Sequence, residues 1–249
     1  MMERNLAKRL FSCIDNTTLN ATDNESSVEL FCRHTREMTV DGTTVAAVCV
    51  FPRFVAIAKH TLEGSGIRVA SVAGAFPHGQ LPIELKVAEV RYAVEKGADE
   101  IDMVISRGAM LSGDEVAVRS EVEAMKEACN GITLKVIMES GELSPTLLQR
   151  ASELAIEGGA DFIKTSTGKI ATGATLEAAE VMLNVVKENV KFNKKIIGFK
   201  AAGGIKTPDE AMEYAMLCRN IMGEEYVKNQ TFRIGASRLT DSLFSLLTF

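Results

Sequence analysis

No CxxC pair occurs among the five cysteines, Cys13, Cys32, Cys49, Cys129 and Cys218, which are odd in number and widely scattered. That spacing excludes a disulfide framework and leaves reduced thiols in a cytoplasmic protein as the expectation. The three histidines, His34, His60 and His78, form no constellation with one another or with cysteine, so no metal is expected. No stretch approaches the length of a membrane span. The start, Met1 to Leu10, carries Arg4, Lys8 and Arg9 but lacks the apolar run of a secretory leader, although a weakly basic amphipathic start leaves an organellar import signal open. An excess of positive charge is missing too. With 28 Lys and Arg against 33 Asp and Glu, the net charge of -5 gives no whole-chain attraction to nucleic acid, and any anion site must be local.

What is present is an ordinary globular composition, 46% hydrophobic and 24% charged, able to bury a sizeable core. The 249 residues match a closed α/β barrel, and nothing linker-like divides them, so one domain over residues 1–249 is expected. Apolar runs rich in β-branched residues recur, each followed by a longer segment of helical period. The runs predict eight strands: Ser12 to Leu19, Val45 to Val50, Arg68 to Gly74, Glu100 to Ile105, Thr133 to Glu139, Asp161 to Ser166, Ile196 to Lys200 and Phe232 to Ala236. Helices are predicted over Pro82 to Lys96, Asp114 to Cys129, Ser144 to Glu157, Thr175 to Val190 and Thr207 to Met222. Ser144-Pro145 and Thr207-Pro208 each put a capping hydroxyl before a residue suited to the first turn. A short echo, Lys96-Gly97-Ala98-Asp99 and Gly158-Gly159-Ala160-Asp161, ends two helices with glycine and leads into two strands. The pattern predicts a single-domain (β/α)8 TIM barrel. An open doubly wound sheet is the alternative, and no GxGxxG turn follows the first strand to favour it.

Charges inside these strands carry the chemistry. Parallel barrel strands are covered on both faces, so an ionisable residue within one must pair or serve a purpose. Asp102 lies among apolar neighbours in Glu100 to Val104, Lys135 in Leu134 to Met138, Lys164 in Phe162 to Ser166 and Lys200 in Ile197 to Lys200. Alternation lets all four point inward, with Lys164 and Lys200 near the C-terminal strand ends, where barrel enzymes place catalytic groups. A buried salt-bridge network is the bland reading, but three lysines on one aspartate leave positive charge uncompensated. Two ammonium groups about 5 Å apart at an effective dielectric near 20 repel by roughly 3 kcal/mol, enough to depress one pKa by about two units. One amine is then neutral and free to attack a carbonyl, forming an imine.

At these residues a resemblance becomes specific. Asp161-Phe-Ile-Lys-Thr-Ser-Thr-Gly-Lys169 resembles the Schiff-base strand and loop of deoxyribose-phosphate aldolases, and Gly198-Phe-Lys-Ala-Ala-Gly-Gly204 resembles their second-lysine strand. Ile14 to Leu19, Cys49 to Arg53, Phe76 to Gly79 and Ala98 to Asp102 resemble further stretches of that family in order, so the likeness is nearly full length. It implies reversible cleavage of 2-deoxy-D-ribose 5-phosphate to acetaldehyde and D-glyceraldehyde 3-phosphate in deoxyribonucleotide catabolism, without metal or organic cofactor. Under it Lys164 is the nucleophile, Lys200 the perturbing cation and Asp102 the proton donor and acceptor. Lys135 is a supporting polar residue or charge balance for Asp102, and Asp15 and Thr17 meet substrate hydroxyls.

Glycine-rich loops follow the last three strands: Thr167-Gly168-Lys169, Gly203-Gly204 and Gly235-Ala236-Ser237. Loops there supply backbone N–H donors to phosphate, and the resemblance assigns all three to that task with Lys169 as an added cation. The sequence departs from the family pattern at Ala201, where proline is usual, and at Arg238, where a small residue is usual. It ends in Leu247-Thr248-Phe249, so no terminal tyrosine is expected to assist proton transfer. Cys49 is expected to fill core space. The expected partner is a small phosphorylated sugar, with no nucleic acid and no membrane. Oligomeric state stays open, a homodimer being one option. The competing functions are another imine-forming barrel aldolase of transaldolase type and a silent sugar-phosphate binder.

Overall fold

The computed structural model describes residues 4–193 and 196–248, so residues 1–3 of the basic start and the terminal Phe249 lie outside it. Eight parallel strands close into a barrel in sequence order: β1 Ile14–Thr17, β2 Ala47–Val50, β3 Arg68–Ala73, β4 Glu100–Val104, β5 Thr133–Ile137, β6 Phe162–Lys164, β7 Gly198–Ala202 and β8 Phe232–Ala236. Closure is shown by β1, whose Asp15 pairs with Ala47 on one side and Gly235 on the other. The open-sheet alternative is thereby removed.

Among the described residues, ten α-helices surround the barrel: α1 Arg4–Phe11, α2 Glu25–Glu37, α3 Val55–Thr61, α4 Ile83–Glu95, α5 Arg107–Ser112, α6 Glu115–Ala128, α7 Pro145–Glu157, α8 Leu176–Asn193, α9 Pro208–Met222 and α10 Leu239–Thr248. Both capping hydroxyls read from sequence are in place. The Ser144 side chain accepts from Leu147 N, and Thr207 forms a reciprocal capping box with Glu210. The basic start is part of the fold: α1 buries Ala7, Leu10 and Phe11 against α9 and α10, while Arg4 and Lys8 pair with Asp41.

Strand ends differ from the sequence reading where side chains replace the ladder. β6 stops at Lys164 because the Thr165 and Ser166 hydroxyls both turn to the Ala202 carbonyl. β7 is displaced two residues forward, pairing Ala201 with Ile234 and Ala202 with Gly235, so Ala201 sits fully buried in the sheet. β1 begins later because the Ser12 hydroxyl donates back to Arg9 O at the end of α1.

The sequence echo has a physical basis. Asp99 accepts from Val69 N at 2.8 Å and from Lys59 Nζ at 2.5 Å; Asp161 accepts from Leu134 N at 2.8 Å and from Lys126 Nζ at 2.5 Å. In each, the glycine two residues before the aspartate has positive φ, and a Cβ there would press on the stem of that lysine, at 3.4 Å for Gly97 and 3.1 Å for Gly159. The same clamp thus ties two βα units to the strand before them. Asp161→Ala orphans the Leu134 N–H, and urea denaturation should show a loss of about 1–2 kcal/mol.

Candidate active site

Inward positions divide the barrel interior in two. β2 and β3 contribute Ala47, Cys49, Ala70 and Val72, a small apolar wall that continues to Leu19. The remaining strands contribute charge. Asp102 Oδ1 meets Lys135 Nζ at 2.7 Å, and its Oδ2 meets Lys164 Nζ at 2.8 Å and Lys200 Nζ at 2.7 Å. Lys200 also meets Asp15 at 2.5 Å, and Lys135 meets Glu100 at 2.5 Å. Arg233 bridges Asp15 at 2.5 Å and Glu100 at 2.9 Å. Room for these long side chains comes from glycine. A Cβ on Gly235 would lie 3.0 Å from Lys200 Cε, and one on Gly198 would overlap the Phe162 ring.

The expectation of three lysines around one lone aspartate is therefore corrected. Three carboxylates, Asp15, Glu100 and Asp102, face four cations, Lys135, Lys164, Lys200 and Arg233, all buried. The periodicity that found Asp102 also points to Glu100, two residues earlier on the same face, and Arg233 stands between Phe232 and Ile234 as the lysines stand between their neighbours. The signal for both was present in the sequence.

Electrostatics singles out one amine. Burial opposes ionisation of Asp102, but Lys135, Lys164 and Lys200 together hold its carboxyl well below the usual carboxylate range. Burial lowers Lys200 too, yet Asp102 and Asp15 outweigh it and the net shift is upward. Lys164 has one carboxylate. Burial and then the Lys200 charge overcome the pull of Asp102, and its pKa falls below the ordinary lysine value.

A cavity of about 350 Å³ opens at the C-terminal end of the barrel. Lys164 is the one member of the buried cluster on its wall, together with Thr17, Leu19 and Asn20 and the loops after β6, β7 and β8. The expected loop residues Gly168, Lys169, Gly203, Gly204, Gly235 and Ser237 all line it. Asp102, Lys200, Lys135 and Asp15 stand behind that wall. Lys135 there meets Asp102, Glu100 and, at 3.6 Å, Asp15. Asp15 is committed to Lys200 and Arg233 rather than presented to a hydroxyl, because its strand position lies a layer below that of Thr17.

The cavity mouth is basic. Lys169, Lys206 and Arg238 lie on it, and among the described residues no carboxylate does. Lys169 Nζ donates to Leu19 O at 2.5 Å, drawing the loops after β1 and β6 together. Lys206 has no signal in the sequence, since a loop lysine is ordinarily a solvated surface residue. Glu139, equally unforeseen, holds a left-handed backbone at φ 57 and accepts from Thr167 N at 3.0 Å and Thr167 Oγ1 at 2.5 Å, fixing the loop that carries Lys169. The loops after β6 and β7 touch through glycine: a Cβ on Gly173 would overlap the Gly203 carbonyl.

Among the described residues, no group of three His, Cys, Asp or Glu side chains is placed to hold a metal ion, and no helix is long and apolar enough to cross a membrane. His34 pairs with Asp241 on the surface, and Cys49 is buried with its thiol pushed up to about 11, chiefly by burial.

A closed parallel barrel with an amine of lowered pKa on the wall of a basic cavity at its C-terminal end has a titratable group where barrel enzymes carry their active sites. Residues 10–227 match the DeoC/LacD family of aldolases, and the chain belongs to that family. An aldolase named QR15 is 30% identical over 96% of both chains, with a TM-score of 0.78. A candidate deoxyribose-phosphate aldolase from Toxoplasma gondii ME49 superposes with a TM-score of 0.88 at 26% identity, covering 98% of this chain and 97% of that one. The tetrameric deoxyribose phosphate aldolase of Aeropyrum pernix gives 0.78 at 26% identity, covering 97% and 92%.

Proposed function

We propose that this aldolase acts through a Schiff base on Lys164 and that its substrate is 2-deoxy-D-ribose 5-phosphate. The observation that carries the reading is that Lys164 alone combines a lowered pKa with a place on the cavity wall. Its neutral amine attacks the C1 aldehyde of the open-chain sugar, and water leaves to give a protonated imine. The C3 hydroxyl loses its proton, the C2–C3 bond breaks, and its electron pair moves into the imine to form an enamine. D-Glyceraldehyde 3-phosphate departs; protonation at C2 and hydrolysis then release acetaldehyde and regenerate the amine.

Lys200 keeps Lys164 deprotonated by sharing Asp102 Oδ2 with it. Asp102 moves protons for the substrate through water, since its carboxylate stands behind the wall. At the far end, Lys169, Lys206 and Arg238 with the Gly168, Gly203, Gly204 and Ser237 backbone suit a phosphate dianion. Thr17 is placed to meet a substrate hydroxyl. The pathway consistent with this substrate is deoxyribonucleotide catabolism.

The test is peptide mapping after incubation with deoxyribose 5-phosphate and borohydride, with a parallel assay for glyceraldehyde 3-phosphate. An adduct on Lys164 with triose phosphate release is expected; the absence of both signals would refute the reading. For the mouth, Arg238→Ser should raise KM for the phosphorylated sugar about fivefold to twentyfold at unchanged kcat, as expected when one charge-assisted contact is lost. Trapping of unphosphorylated acetaldehyde should not change.

A further inference from the structure

Every strand but one sends a titratable group toward Lys164. β4 supplies Asp102 and, one layer lower, Glu100; β5 supplies Lys135, β7 Lys200, β8 Arg233 and β1 Asp15. β2 adds the Cys49 thiol, and β3 adds only Ala70 and Val72. Above the cluster, Glu139 is occupied by Thr167 and Lys169 by the Leu19 carbonyl.

Arg233 and Glu100 have no part in the chemistry proposed above, and neither lines the cavity. Arg233 nonetheless heads the fully buried side chains by size, with its guanidinium 5.7 Å from the Phe162 ring centre. Burying an arginine this deeply is costly unless the charge is used. Two chains of contacts run from these residues to Lys164. One passes from Arg233 through Asp15 and Lys200 to Asp102; the other passes from Glu100 through Lys135 to Asp102.

We propose that Arg233 and Glu100 are positioning residues that set the protonation of Lys164 from beneath, in opposite directions. The proposal rests on Lys164 being the imine-forming amine. Arg233 engages Asp15. Without it, Asp15 draws the Lys200 ammonium away from Asp102, and Asp102 is left to hold a proton on Lys164. Glu100 shares Lys135 with Asp102. Without it, Lys135 leans wholly on Asp102, whose grip on the Lys164 proton weakens. The direct field of each charge has the same sign as its effect through the chain.

The experiment follows the rate at which acetaldehyde and cyanoborohydride trap Lys164 across pH, with adducts located by peptide mapping. Only the neutral amine reacts, so the acid limb of the profile reports its pKa. Arg233→Met should move that limb up by about one pH unit and Glu100→Gln should move it down by about one, while Arg233→Lys should leave it within a few tenths. The double variant Glu100→Gln/Arg233→Met should return it close to the parent position, because opposite charges cancel whereas packing damage accumulates. Single-variant limbs that move the same way, or a double variant displaced further than either, would overturn the proposal.

If the buried variants fail to fold, Arg68→Gln carries the test. Arg68 is about half exposed and donates to Glu100 at 3.0 Å, so its loss frees Glu100 to draw Lys135 from Asp102. The limb should rise by a few tenths of a unit, the shift being screened by solvent; an unmoved limb overturns the inference. A parent protein that gives no adduct on Lys164 would instead remove the Schiff-base reading itself.

Discussion

Lys164→Met is expected to lower turnover by at least about 10⁴-fold and to leave the protein as stable as the parent or more so. The activity loss follows from removing the proposed nucleophile, for which no other amine of the described residues on the cavity wall is equivalent. Lys169 and Lys206 also line it, but at the exposed mouth rather than against the buried carboxylates. The stability follows from charge. The parent holds four buried cations against three carboxylates, and the variant holds three against three. Linkage gives the same sign. The folded pKa of Lys164 lies below its ordinary 10.5, so between the lowered value and 10.5 the unfolded chain binds the extra proton. Stability therefore rises with pH through that window, and below it the buried ammonium is a net cost. Methionine removes that cost, so thermal unfolding at neutral pH should occur at an equal or higher temperature. A melting temperature several degrees lower would show that Lys164 is a structural ion-pair partner and not a strained nucleophile.

Lys200→Met should do the opposite to the fold and act on turnover in a pH-dependent way. Lys200 lies between Asp15 and Asp102, so its loss leaves two buried carboxylates each short of a partner and costs about 3–5 kcal/mol. Asp102 Oδ2 then holds the Lys164 proton without competition from Lys200, Lys135 remaining on Oδ1. The amine pKa should rise by about two units, cutting turnover near neutral pH roughly a hundredfold. The sign distinguishes this from general damage: activity should recover as pH rises through the new pKa, because the amine is the reactive form. A deficit that is equally deep at every pH would mean that Lys200 acts on the substrate directly.

The sequence exposed this cluster because burial makes charge conspicuous. Lys135, Lys164 and Lys200 stand in runs that otherwise contain only core residues, and period two puts them on one face. The same reasoning, carried one layer down, reaches Glu100 and Arg233. It could not say which lysine would be neutral, since that depends on how many carboxylates each ammonium reaches across the barrel, and register between distant strands is not written locally. Asp15 shows the same limit. Its residue type suits a sugar hydroxyl, and only the height of its layer commits it to Lys200 and Arg233. The capping hydroxyls of Ser144 and Thr207 were legible because their partners lie three residues away. Lys206 and Glu139 were not, because a loop acquires its meaning from the neighbouring loops that meet it.

The uneven lining of the barrel bears on stereochemistry. A carbonyl compound joined to Lys164 stands between the apolar wall of Ala47, Cys49, Ala70 and Val72 and the ionised side that holds Asp102 and Lys200. Protons and developing charge can be accommodated toward one side only, so the two faces of an enamine formed there are inequivalent. In the synthetic direction an enamine of acetaldehyde would attack through a CH2 carbon, so handedness arises at the acceptor aldehyde: its developing alkoxide should turn to the ionised side while the loops hold its phosphate, and carbon–carbon bonds of one handedness are expected.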